Sequence, residues 1–214
     1  MFSSPGAVQF TTTVRKKSLC PAASVDRRTV ELDILGALKG DDVPAQLRLE
    51  VFSHLDDMEE AELAELVNLL VSPDGLFASA IENDACKIFQ CAPDEFEKGL
   101  DKHNIVYLLE LWSLIKSKVL NNLYMMLQPV ESRVPTFIIR REVMKALRNR
   151  VLLPLLRSKQ RPQNYKRVQP VITNVWHSAC DGSPEHKEYQ DLVNWFLHTD
   201  SPTCSNVPGH HYPE

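Results

Sequence analysis

Seven glycines in 214 residues are too few for the many tight turns of an all-β chain. They are also too few, and too scattered, for the loops that cradle phosphate. Neither a Walker-type nor a dinucleotide-binding fingerprint occurs. No Gly-x-Ser-x-Gly elbow and no His-Glu-x-x-His zinc helix is present. No run of 18 apolar residues exists, so no membrane span is expected, and Met1 to Lys17 lacks the apolar core of a secretory signal. The five cysteines, Cys20, Cys86, Cys91, Cys180 and Cys204, are odd in number and form no Cys-x-x-Cys. That pattern suits reduced thiols in an intracellular protein, and a cytoplasmic location is the expectation. Together these absences point away from an enzyme and away from any bound cofactor or metal.

The remaining chemical candidates have plainer explanations. Cys86 and Cys91 stand five apart with no second pair, which is wrong for a zinc knuckle and reads as two thiols in different degrees of burial. Asp56-Asp57 and Glu59-Glu60 invite general acid–base chemistry. They fall in a helix connection and at a helix start, where carboxylates favour the helix dipole. His210-His211 sits in a terminal stretch that cannot fix metal geometry.

What is present is helical periodicity. Residues 1–24 carry Ser, Thr, Pro and basic residues without period and read as a flexible arm. Ser24 or Asp26 can cap a first helix with Val30, Ile34, Leu35 and Leu38 on one stripe, ended by Gly40. Pro44 suits the first turn of a second helix, and a third runs from about Glu59 to Val71. Ser72-Pro73-Asp74-Gly75 is a turn before a fourth helix, and Pro93 opens a short element with Phe96 and Leu100. The longest pattern spans about Lys102 to Leu127 with a wide apolar band, as expected of a central helix. Gln128-Pro129-Val130 should stop it. A further helix follows Pro135, and Pro154 should kink or end it. Helices from about Pro170 and from Ser183-Pro184-Glu185 complete a domain over 25–198, and 199–214 reads as a flexible tail. The expected fold is all-α, a single helical bundle of about seven to nine helices with a long central one.

Charge divides the chain more sharply than its net value of −4 suggests. Asp41 to Glu110 holds 17 acidic residues against 4 basic, whereas Arg133 to Arg167 holds 11 basic residues and one acid, Glu142. Either the second half meets an anionic partner or the two halves pack on each other, and the second reading is favoured. The basic segment offers Arg140, Arg141, Lys145 and Arg148 as partner-binding candidates, with Trp176 and Trp195 as aromatic anchors near the edges of their apolar faces. An anionic surface such as a phosphoinositide membrane is the alternative. Nucleic acid is disfavoured because the segment lacks the aromatic interleaving of single-strand readers.

Four blocks in order then resemble one family. Tyr107-Leu-Leu-Glu-Leu-Trp112, Val119-Leu-Asn-Asn-Leu-Tyr124 and Leu127-Gln-Pro-Val-Glu131 look like the leading block of the HbrB/Protor family. Ile139 to Leu155 is similar to its following Arg-containing helix. Arg167 through Trp176 and Tyr189-Gln-Asp-Leu-Val193 resemble its two closing helices. Leu69 to Phe77 faintly echoes an upstream element, and the family-like core is 104–197. The chain departs from vertebrate members in its N-terminal third and lacks their long Ser/Pro-rich extension. The resemblance implies a non-catalytic accessory subunit of TOR complex 2, held through a Rictor-type scaffold, with no catalytic residues to carry over.

Overall fold

The computed structural model describes residues 27–198, all of whose regular structure is helical. The arm at 1–24 and its capping residues Ser24 and Asp26, the tail at 199–214, Cys20, Cys204 and His210-His211 lie outside the described residues. Helices α1 (Arg27–Leu38), α2 (Ala45–Asp57), α3 (Glu60–Val71) and α4 (Leu76–Phe89) precede a 3-10 turn at Pro93–Lys98. Then come α5 (Lys102–Leu114), α6 (Leu120–Arg133), α7 (Ile139–Leu147), α8 (Leu153–Arg157), α9 (Gln169–Ser178) and α10 (Pro184–His198). A π turn at Ile115–Val119 joins α5 to α6, and another at Arg148–Leu152 joins α7 to α8. The ten α-helices therefore make eight continuous rods.

Local chemistry accounts for most of the boundaries. Gly40 (φ 69) closes α1, as its position after the apolar stripe implies. Glu59 and Glu62 form a reciprocal capping box at α3. Asp101 caps α5 by accepting from the backbone N–H groups of His103 and Asn104, both at 2.7 Å. Ser183 Oγ accepts from His186 N at 3.1 Å and starts α10. Residues 60–89 include a window with mean hydropathy of 1.2, apolar enough to cross a membrane. The Ser72–Gly75 turn splits this stretch into helices of 12 and 14 residues, each shorter than the ~20 a span requires.

Both proline expectations fail for physical reasons. Pro129 does not stop the long helix: it lies buried inside α6, which continues to Arg133. Proline lacks the N–H that would bond the carbonyl of Met125, a residue whose side chain is 53% exposed and whose turn faces water. The helix survives because its far end is fastened elsewhere. Arg133 donates to the carbonyls of Leu55 (3.3 Å) and Asp56 (3.1 Å), and so caps the C-terminus of the neighbouring α2. Pro154 does not end its rod either. The preceding π turn already shifts pairing to i→i+5, with Leu153 N–H on the carbonyl of Arg148. A residue without a donor is then placed where the ladder is interrupted anyway. One more turn of helix follows, to Arg157.

The most enclosed rod is not the longest one. α6 packs against α1, α2, α3 and α7, and α7 against α4, α6 and α9. Between Ile139 and Leu147 only Arg140, Arg141 and Lys145 escape burial, and from Val151 to Leu156 only Pro154 does. Phe137 meets Phe77 of α4 with ring centroids 6.4 Å apart. Both long rods thus run through the core, the basic one more completely covered than the one from Lys102, whose outer face stays open.

Candidate interaction surface

A basic helix can sit in the centre only if its charges are answered, and most of them are. Arg148 is completely buried. Its guanidinium forks onto Asp181, with Nη1–Oδ1 and Nη2–Oδ2 both at 3.2 Å. It also donates to the Ala179 carbonyl at 2.8 Å, to Ser183 Oγ at 3.2 Å and to Asn149 Oδ1 at 2.8 Å. Its donor directions thus end on oxygens of the loop between α9 and α10 and, through Nε, on the neighbouring Asn149, a structural tie that a partner cannot reach. Burial pushes the Asp181 carboxyl up, but hydrogen bonds from Arg148 and Ser183 outweigh it. The net shift takes it well below the usual carboxylate range.

Neighbouring cations follow the same pattern. Lys145 bridges Glu142 (3.0 Å) and Asp181 (3.5 Å), and Arg141 pairs with Glu142 at 2.9 Å and donates to the Thr136 carbonyl. Arg150 reaches Asp74 at 2.7 Å and Glu82 at 3.2 Å, besides the carbonyl of Pro73. Arg157 grips Glu188 with two bonds, at 2.7 and 3.0 Å. The expectation that the basic segment is paired internally therefore holds, with a correction to the partner. Among the ion pairs of α7, α8 and the turn between them, only those of Arg150 reach the acidic half. Asp181, Glu188 and the helix's own Glu142, all in the second half, hold Arg141, Lys145, Arg148 and Arg157.

The six residues singled out from the sequence do not form one site. Arg148 is removed from the surface. Arg140 donates to Asn174 Oδ1 (2.9 Å) and Ser178 Oγ (3.3 Å) on one flank of α9. Trp176 is two residues on, about 200° round that helix, and so belongs to the other flank. There it is half-buried, stacked on His177 at 4.8 Å. Trp195 lies on α10 at a shallow cleft shared with Arg157, Lys159, Glu188, Asp191 and Leu192. No continuous cationic face results. Lys159, Lys166 and Arg167 are exposed but sit on the loop beyond α8. A second cleft, of about 230 Å³, lies between the Ser72-Pro73 turn, α7 and the start of α10. Its cations, Lys145 and Arg150, are the ones already paired.

An open face does exist on α6, and the sequence reading passed over it. Tyr124 and Met125 are 40% and 53% exposed, at consecutive positions of the helix. Burial raises the Tyr124 phenol, Arg140 lowers it in part and Glu131 raises it. Arg140 itself is exposed at the start of α7. Ile138, 42% exposed, precedes it at the start of α7. Tyrosine, methionine and arginine, residue types enriched in interface cores, are thus left exposed on α6 and at the start of α7. The signal was available in the sequence. Tyr124 and Met125 fall off the stripe of Leu120, Leu123 and Met126, so the same period that buries those three turns these two outward.

Among the described residues no three potential metal ligands come together. Comparisons with models of protein families, with curated proteins and with solved structures find no match.

Proposed function

We propose that this chain is a non-catalytic helical adaptor, an accessory subunit of an intracellular signalling complex, docked through the outer face of α6 and the start of α7. The observation that carries the proposal is the exposed Tyr124-Met125 pair, on a rod whose inner face is fixed in the core. Exposed apolar and aromatic residues grouped on a rigid element gain more from covering than scattered ones do. The likeness of the 104–197 region to the HbrB/Protor family makes TOR complex 2, through its Rictor-type scaffold, the complex to test first. Binding of nucleic acid or phosphoinositide by the basic segment has less support, because Arg141, Lys145, Arg148, Arg150 and Arg157 already hold carboxylates.

Affinity purification of the full chain with mass spectrometry tests both levels. The parent should recover a large helical scaffold, and the Tyr124→Ala/Met125→Ala variant should lose it while keeping its melting temperature. Recovery of a partner set without any TOR-complex component removes the named complex. Unchanged recovery by the double variant removes the α6 surface.

A further inference from the structure

The C-terminal end of α4 carries two cysteines in a placement that its turn geometry defines. Gln90 adopts the left-handed conformation (φ 54, ψ 38) and ends the helix. The carbonyl of Cys86 accepts from the N–H of Gln90 and also from that of Cys91, the latter at 3.2 Å. Cys86 is then the last-turn residue, and Cys91 the residue just past the left-handed one, of a Schellman-type end. Those are the two positions whose side chains meet across such a terminus. Both cysteines are half-buried and pack against the core edge, beside the cluster in which Phe89 contacts Phe96 and Tyr107.

We propose that Cys86 and Cys91 are a dithiol modification site, closing to a disulfide across the end of α4 by exchange with a small disulfide such as oxidised glutathione. The thiolate of one cysteine attacks a glutathione sulfur, making a mixed disulfide and releasing one glutathione thiolate. The second cysteine, deprotonated by solvent, attacks the protein-bound sulfur and expels the other glutathione. Two protein thiols are oxidised and one glutathione disulfide is reduced to two thiols. The bridge would lock the helix end and, through it, the seat of Phe89. Burial pushes both thiols up, with Glu82 adding to the effect at Cys86 and Glu95 at Cys91. Exchange is accordingly slow at neutral pH and accelerates as pH rises past the ordinary thiol range.

Incubating the full chain with oxidised glutathione at pH 8.5, alkylating and digesting with trypsin gives a direct readout. Lys87 lies between the two cysteines, so a bridge joins the peptide ending at Lys87 to the one ending at Lys98. The bridge is expected at an effective thiol concentration at least about tenfold higher in the folded chain than in urea. Cys91→Ser should leave a stable glutathione adduct on Cys86. Separate adducts on both cysteines, linkage of either to another cysteine, no reaction, or no advantage of the folded chain over urea would each overturn the proposal.

Discussion

The two long rods of this bundle are built alike and used differently. Each is a helix interrupted by one π turn, and each carries a proline that fails to end it. The rod from Lys102 to Arg133 is amphipathic and leaves Tyr124 and Met125 in water. The rod from Ile139 to Arg157 carries the strongest positive charge in the chain and is nevertheless the one enclosed by its neighbours. Charge is therefore a poor guide to exposure here. The enclosed rod tolerates its arginines because the loop before α10 supplies Asp181, Ser183 and the Ala179 carbonyl at the height of Arg148. Among the described residues no such loop lies over the outer face of the open rod.

Removing Arg148 should produce the largest effect. Arg148→Met leaves the Ala179 carbonyl without its donor and the part-buried Asp181 carboxylate with only Lys145 and Ser183, and loss of these charge-assisted bonds should cost about 2–3 kcal/mol. For a domain of this size, that is on the order of 10 °C in thermal melting. The pH dependence supplies the sign. Asp181 has a depressed folded pKa, so its contribution is complete above the unfolded carboxyl value of about 3.9. It is lost as pH falls below that value. The stability gap between parent and Arg148→Met should accordingly narrow below pH 4. A gap that is constant from pH 7 to pH 3 would mean that the arginine acts by filling space and not by charge.

A second test asks how tightly the far end of the basic rod is enclosed. Gly99 has φ 92, and a Cβ there would meet Ser158 Oγ at 2.0 Å and Ser158 Cβ at 2.7 Å. Ser158 caps α8, donating to the carbonyl of Leu155 at 3.1 Å. Gly99→Ala should cost about 2 kcal/mol from the left-handed backbone and the displaced serine together. Chemical denaturation checks it. A loss under half of that would show that the end of α8 yields easily and that the rod is enclosed only along α7.

The difference between the rods was half legible in the sequence. The 3.6 period placed almost every helix, because apolar stripes, Gly40, the Glu59 box and Ser183 are local signals. The prolines were misjudged because local rules assign a proline the cost of one missing donor. A π turn beside Pro154, or the Arg133 tie to α2 beyond Pro129, can absorb that cost. Neither is visible from spacing. Arg148 was misplaced for a related reason: its partner Asp181 is 33 residues away in a connecting loop, and nothing in either residue names the other. Tyr124 and Met125 were legible, since their position off the stripe follows from the same period. Attention went to charge instead.

The smallest expected effect lies one helix position in from the open face, and it sharpens the comparison most. Arg140 and Arg148 are eight residues apart on one rod, yet Arg140 is exposed and holds only the neutral groups of Asn174 and Ser178. Losing those two surface bonds should cost less than about 1 kcal/mol, so Arg140→Glu should keep its helicity and melt within about 3 °C of the parent. The electrostatic consequence should appear at Tyr124, whose phenol Arg140 holds down. Replacing that cation with a carboxylate removes a stabiliser of the phenolate and adds a repulsion, so the Tyr124 titration must move upward. Difference spectra against Tyr124→Phe isolate that ring from the other tyrosines. An upward shift without loss of stability makes Arg140 part of the open face. A stability loss approaching that of Arg148→Met would instead extend the enclosed region to the start of α7 and leave Tyr124 and Met125 alone as the exposed surface.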